Sequence, residues 1–224
     1  MAVLDSVGTV IVFDLDDTLY KEVDYQTSGL KEVCRWIESV YGLCVTAALE
    51  KLRNTNEPDL LGGLCRVAGL PLTVKESLLW VYRLHQPSIS LLPDIADFLS
   101  HLQSDFKVAI LTDGRSISQR LKLKALGLGQ LPAYISEEYG SDKSSPVRFE
   151  LIMRDLPGSK YFYVGDNPQK DFIVPNGLGW TSVCLRDGGM NIHSQNIDSL
   201  AFSQRPKVWI NNFNELKELL HGNI

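Results

Sequence analysis

The hydrophobic pattern changes character twice along this chain of 224 residues. Val10 to Phe13 is a short, unbroken apolar run, β-branched and aromatic, with no alternation. Such a run predicts a strand buried on both faces, as in a parallel sheet under helices. Between residues 24 and 86 the period becomes helical. Leu30, Val33, Cys34, Ile37, Val40 and Tyr41 recur at three- and four-residue spacing, and Gly42 stops them. Thr46 to Leu52 reads as a shorter helix, and Pro58 opens another that ends at Gly69. Thr73 with Glu76 reads as a capping box before Leu78, Leu79, Val81 and Tyr82. The segment Ser88 to Pro93 carries the chain back.

From Asp94 onward, helices and strands alternate. Helices are expected at Asp94 to Gln103, Ser116 to a Gly127 stop, Val147 to Leu156 and Asn214 to Leu220. Strands are expected at Lys107 to Leu111, Ala133 to Ser136, Lys160 to Val164, Thr181 to Leu185 and Val208 to Ile210. Residues 187–206 are polar and irregular and read as a loop. The alternation predicts an α/β fold with a doubly wound parallel sheet. The helical stretch reads as an insert after the first strand. Residues 1–20 and 88–224 then form the α/β core domain, and residues 21–87 a small α-helical domain.

In such sheets ligands bind outside the carboxyl ends of the strands. Polar residues gather there. Asp14-Leu15-Asp16-Asp17-Thr18 follows the first strand, and Thr112-Asp113-Gly114-Arg115 the second. Gly165-Asp166-Asn167-Pro168 follows the fourth, with Asp171 close behind. Carboxylates at i and i+2 around a strand end point the same way. Crowding them is costly without a cation or a proton. An oxygen-only donor set suits Mg²⁺, which takes one or two carboxylates and keeps room for waters and a phosphate.

Composition narrows the picture further. The chain is 44% hydrophobic and 22% charged, with a formal net charge of −5. That excludes a general affinity for nucleic acid or anionic membrane, which needs basic patches. It leaves an anionic substrate open, because local field and metal decide that. Cys34, Cys44, Cys65 and Cys184 form no Cys-x-x-Cys pair, have no histidine at ligand spacing and sit among apolar neighbours. They read as buried free thiols of a cytoplasmic protein. No signal peptide or membrane span is expected, since the first apolar run ends in carboxylates and no run nears 18 residues.

Phe13-Asp14-Leu15-Asp16-Asp17-Thr18-Leu19 resembles the first motif of the haloacid dehalogenase (HAD) superfamily, a hydrophobic strand followed by Asp-x-Asp-x-Thr. The later motifs follow in order. Val108 to Thr112 resembles the second, Lys143 the third, and Gly165-Asp166 with Asp171 the fourth. Two departures stand out. Many relatives read Lys-Pro-Asp-Pro where this chain has Lys143-Ser144-Ser145-Pro146, and Asn is commoner at the place of Asp113.

The resemblance implies a HAD-like core with a helical cap domain, and an Mg²⁺-dependent phosphatase. Asp14 is implied as the nucleophile that forms an aspartyl phosphate. Asp16 is implied to protonate the leaving oxygen and then to take a proton from water. Asp14, the main-chain carbonyl of Asp16, and Asp166 are implied to hold the metal. Thr112, the main-chain N–H groups of Asp113 and Gly114, and Lys143 are implied to bind the phosphoryl group. Asp171 and Asn167 support the site. Asp16 argues against carbon–halogen hydrolysis, because the dehalogenases lack it.

The implied substrate is a small phosphate ester, a sugar phosphate or nucleotide. The stretch Gly165 to Gly179 resembles HAD-like proteins of surface-polysaccharide or nonulosonate pathways, which favours a sugar phosphate. A phosphomutase of the same superfamily and a non-catalytic binding module are the alternatives. Monomer and homodimer both fit the sequence. Outside the motifs, Lys122, Lys124 and Lys160 read as solvated surface charges. Lys21, Arg115 and Arg148 read as surface charges within possible reach of a substrate. His85, His101, His193 and His221 lie outside the constellation, and Trp36 and Trp80 read as core.

Overall fold

In the computed structural model, which describes residues 8–91 and 93–222, the run Thr9–Phe13 forms strand β1 and all of it is buried. Its side chains alternate between two apolar layers. Ile11 and Phe13 pack with Ile110, Phe162, Val164 and Val183. Val10 and Val12 pack with Ala109, Leu111, Tyr163 and Cys184. A strand covered on both faces has no solvent side, which is why the run never alternates.

Among the described residues, five further strands complete one sheet: β2 (Lys107–Thr112), β3 (Ala133–Ile135), β4 (Lys160–Gly165), β5 (Thr181–Leu185) and β6 (Val208–Ile210). All pairs are parallel, in the order β3-β2-β1-β4-β5-β6. The order reverses between β1 and β4, and the crevice of a doubly wound sheet opens at such a point. Phe13 pairs with Ile110 on one side and Val164 on the other. That register brings Asp14, Thr112 and Asp166 to one edge.

Helices cover both faces. Helix α5 (Pro93–Asp105) and helix α10 (Phe213–Leu220) supply Ile95, Leu99, Phe213, Leu216 and Leu220 to one layer, and α6 (Ser116–Ala125) adds Leu123. Helix α8 (Val147–Asp155) and the short helix α9 (Ile173–Gly177) supply Phe149, Ile152 and Val174 to the other. A single turn of helix, α7 (Ser136–Tyr139), follows β3. Asn212 caps α10 by accepting the Asn214 and Glu215 N–H groups at 3.0 and 3.2 Å.

Between β1 and α5 lie α1 (Glu22–Tyr41), α2 (Thr46–Asn54), α3 (Leu60–Val67) and α4 (Val74–Leu84). They bury their own cluster of Leu30, Val33, Ile37, Leu49, Leu64 and Leu78. Gly42 ends α1 in the left-handed region at φ 68°. Four expectations are corrected here. Thr73 has helical dihedrals and its side chain makes no capping bond, so there is no capping box. Helix α3 begins after Asp59, whose carboxylate accepts the Gly62 N–H at 3.1 Å, and not at Pro58. Trp36 and Trp80 are 48% and 47% exposed, not core, because the helical cluster closes on smaller side chains behind them. Cys44, expected to be buried, is exposed, while the other three thiols are buried as expected.

Residues 1–7, 92, 223 and 224, counted in the core by the sequence reading, lie outside the described residues. Among the described residues no helix is long and apolar enough to cross a membrane.

Candidate active site

The chain leaves β1 through Asp14, whose N–H donates to Val164 O at 2.8 Å and so extends the sheet by one residue. Asp17 then takes φ 54°, a left-handed conformation that Asp tolerates better than most residues. Its carboxylate accepts the Glu22 N–H at 2.9 Å and the Ile192 N–H at 2.9 Å. Asp17 therefore caps α1 from outside the helix and ties the 187–206 segment to the start of the helical insert.

Lys143 is buried at the centre of the carboxylates. Its Nζ stands 2.8 Å from Asp14 Oδ1 and 2.8 Å from Asp171 Oδ1. Asp171 Oδ2 accepts the Asn167 N–H at 2.9 Å, so both of its oxygens are engaged. Gly165 makes this possible, since a Cβ there would meet Asp171 Oδ2 at 2.4 Å. Asn167 fixes the turn after β4 by accepting the Asp171 and Gln169 N–H groups at 2.9 and 3.1 Å. The unusual sequence after Lys143 leaves the lysine in place.

Asp166 is held from the irregular segment 187–206, which does more than connect β5 to β6. Asn191 Nδ2 donates to Asp166 Oδ2 at 3.0 Å, and Asn191 Oδ1 accepts from Lys21 Nζ at 2.6 Å. Gln195 Nε2 donates to Asp166 O and to Leu185 O at 2.7 Å each. Asp187 shapes the segment by accepting the N–H groups of Gly189, Met190 and Asn191. His193 joins the lining of the cleft, contrary to its expected place outside it. Only the run of Asn, Gln and His around residue 191 hints at this in the sequence.

Thr112 accepts from Gln119 Nε2 at 2.7 Å through its hydroxyl. Its carbonyl accepts from Arg148 Nη1 at 2.9 Å, as does Tyr134 O at 3.0 Å. Arg148 is wholly buried and ion-pairs Asp113, so it is a structural cation and not a surface charge. The unusual Asp113 thus neutralises a buried guanidinium, and its other oxygen accepts the Lys143 N–H at 3.2 Å. Gly114, expected to bind the phosphoryl group, instead donates its N–H to Ser136 Oγ at 2.8 Å and faces a separate depression with Arg115 and Ser136.

Asp16 has a donor set of its own. Lys122 Nζ stands 2.7 Å from its Oδ1, Tyr20 OH donates to the same oxygen, and Gln119 Nε2 donates to Oδ2 at 2.9 Å. Lys122 is only 5% exposed, whereas Lys124 and Lys160 are exposed as expected. The solvated reading of Lys122 fails because it lies in a buried stripe, Ser118, Gln119, Lys122 and Leu123, at helical spacing.

The cleft between these groups measures about 190 Å³. Asp14, Asp16, Asp17, Glu22, Asp113, Asp166 and Asp171 line it, against Lys143 and Lys170. Burial, with the charges of Asp171 and Asp16, pushes the Asp14 carboxyl up to about 7 against the pull of Lys143. Burial and the charges of Asp14 and Asp171 push Asp166 up to about 8. Burial would lower Lys143, but Asp14 and Asp171 hold it well above the ordinary lysine range. Burial raises Asp16 too, yet Lys122, Tyr20 and Gln119 keep it below the usual carboxylate range.

Carboxylate oxygens of Asp14, Asp166 and Asp171 lie within 4.8 Å of one another. Asp171 is committed to Lys143 and Asn167, so Asp14 and Asp166 are the pair with capacity to spare. Two buried, all-oxygen donors that resist carrying charge together are what a hard divalent cation relieves. The residues present fit Mg²⁺.

A family model described as haloacid dehalogenase-like hydrolase matches residues 9–173. Among solved structures, the chain is similar to the 2-haloacid dehalogenase of Pseudomonas syringae pv. tomato at 19% identity, covering 96% of this chain and 99% of that one, with a TM-score of 0.64. It is similar to a HAD phosphatase of Thermococcus onnurineus at 22% identity, covering 96% and 98%, with a TM-score of 0.62. It is also similar to the Bacillus subtilis HAD hydrolase YfnB, crystallised with magnesium, at 18% identity, covering 97% and 99%, with a TM-score of 0.61. No curated protein matches the sequence. At these identities the likeness concerns the fold.

Proposed function

We propose that this chain, which belongs to the haloacid dehalogenase-like hydrolases, is the phosphatase of a small phosphorylated metabolite. The observation that carries this reading is the pair Asp14 and Asp16. One carboxylate is bound to Lys143 and the other, two residues on, is held separately by Lys122 and Gln119. Asp14 faces the lysine that would draw a phosphoryl group, and Asp16 stands beside it on its own donors; its carboxyl lies low in the free protein, and the negative charge of a bound phosphate ester favours the protonated form that an acid needs.

Asp14 attacks phosphorus through a carboxylate oxygen. The bond from phosphorus to the ester oxygen breaks, and its electron pair stays with that oxygen, which takes a proton from Asp16. Water then attacks the phosphorus of the aspartyl phosphate and gives a proton to Asp16. The bond to Asp14 breaks and returns its electron pair to the carboxylate. Splitting one displacement into two lowers each barrier. Lys143 sets a positive charge beside the transferring group, and Thr112 offers a hydroxyl to it. Mg²⁺ held by Asp14 and Asp166 would supply the charge that lets an anion enter so acidic a cleft.

The helical insert, residues 21–87, is the cap domain in this reading, and it excludes bulk water when it sits over the cleft. A cleft of about 190 Å³ favours a small ester over a phosphorylated protein. Sugar phosphates and nucleotides are the classes to test. The experiment is phosphate release from a panel of both, with and without Mg²⁺, by wild type and Asp14→Asn. Release that needs the metal and vanishes in Asp14→Asn is expected. Release that is indifferent to both overturns the reading.

A further inference from the structure

Helix α6 carries three cations along its last turns, Arg120, Lys122 and Lys124, and only Lys122 turns inward. A lysine is almost never buried without a partner. Its partner is Asp16 Oδ1 at 2.7 Å, and the ammonium also sits 4.1 Å from the ring centroid of Tyr25 on α1. Tyr20, from the connection between β1 and α1, donates to the same Oδ1. That oxygen is gripped from two elements.

Oδ2 is held differently. Its donor is Gln119 Nε2, which also stands 2.7 Å from Thr112 Oγ1 and 2.9 Å from Asp113 O. The amide has two hydrogens for three acceptors. It can therefore release Oδ2 and keep both hydrogens bonded. Among the described residues, Lys122 and Tyr20 have no such alternative in their hydrogen bonds to oxygen.

Building on the phosphatase reading above, we propose that Lys122 is a positioning residue for proton transfer: with Tyr20 it anchors Asp16 Oδ1, and so leaves Oδ2 as the oxygen that carries the proton to and from the cleft. In the first half-reaction the proton leaves Oδ2 for the ester oxygen as the bond from phosphorus to that oxygen breaks. In the second it passes from the attacking water to Oδ2. Lys122 keeps its own proton throughout. Because it also rests on Tyr25, its hold on Asp16 is tied to the helical insert.

The test compares kcat/KM for p-nitrophenyl phosphate, whose leaving group departs without a proton, and for an alkyl phosphate that the wild type accepts. Lys122→Met is expected to lower the alkyl value by about 100-fold and the aryl value far less, in keeping with what a positioned general acid contributes. Lys122→Arg is expected to restore most of the alkyl value. If Lys122→Met does not fold, Tyr20→Phe removes only a hydroxyl from the same anchor and is expected to give the same selective fall. Equal falls for both esters in a folded variant, or no fall for the alkyl ester, overturn the proposal. A wild type that releases phosphate from neither ester contradicts the phosphatase reading itself and removes this proposal's premise, a result separate from any change in the ratio.

Discussion

Lys143 Nζ lies 2.8 Å from Asp171 Oδ1, although 28 residues separate them in sequence. Asp171 thereby aims the ammonium at Asp14, which it meets at the same distance. A buried cation between two buried carboxylates sets both the charge and the geometry of the cleft. Lys143→Met is expected to reduce phosphate release by about 100- to 1,000-fold, the usual effect of losing one preorganised charge donor. It is also expected to cost about 3 kcal/mol of stability, because it leaves buried charges unpaired. Steady-state kinetics and urea unfolding at pH 8 check the two.

The raised carboxyls make stability depend on pH and metal. Asp14 titrates near 7 and Asp166 near 8, both above the 3.8 of an unfolded aspartate. The folded state therefore holds extra protons, and their contribution is fully present below about 4 and lost as pH rises through 7 and 8. The apo protein should become less stable across that window from these groups. Mg²⁺ should raise Tm more at pH 8.5 than at pH 5.5, since it needs the ionised forms. Thermal melts with and without the metal at both pH values decide it, and an equal rise at both contradicts it.

Arg148 holds the strand-end carbonyls of Thr112 and Tyr134 as well as the Asp113 carboxylate. Arg148→Met is expected to destabilise the fold by about 3 kcal/mol, because it takes the counter-charge from Asp113 and one donor from each of two strand-end carbonyls. Asp113→Asn leaves the wholly buried guanidinium without its counter-charge and should cost as much or more. Chemical denaturation of both variants orders them.

Asn191 reaches Asp166 from outside the four motifs. Groups that orient a metal ligand commonly change metal affinity by about 10-fold or more. Asn191→Ala is expected to raise the Mg²⁺ concentration needed for half-maximal activity by about that factor, with kcat at saturating metal little changed. A metal titration of both proteins measures it.

The parallel sheet was legible because a strand buried on both faces has no polar positions to confuse the pattern, as at Val10–Phe13. Asp14, Thr112 and Asp166 were legible because each follows its strand directly. Lys122 and Arg148 were not, since a charge is read as solvent-facing unless its partner is known. Those partners, Asp16 and Asp113, lie 106 and 35 residues away. The buried stripe of α6 carries the signal in retrospect, with Lys122 four residues beyond Ser118 and one before Leu123. Residues 187–206 have no period, so beyond their run of Asn, Gln and His no pattern marks Asn191 or His193 as facing the cleft. Trp36 and Trp80 sit at helical spacing yet outside the stripe that α1 and α4 bury.

The central claim, that water attacks phosphorus and not the carboxyl carbon of Asp14, is tested most directly by turnover in water enriched in ¹⁸O. Phosphate released by the wild type is expected to carry one ¹⁸O from solvent, while the Asp14 carboxylate stays unlabelled and Asp14→Asn releases none. Label that accumulates in the Asp14 carboxylate, as ester chemistry at carbon requires, would contradict it.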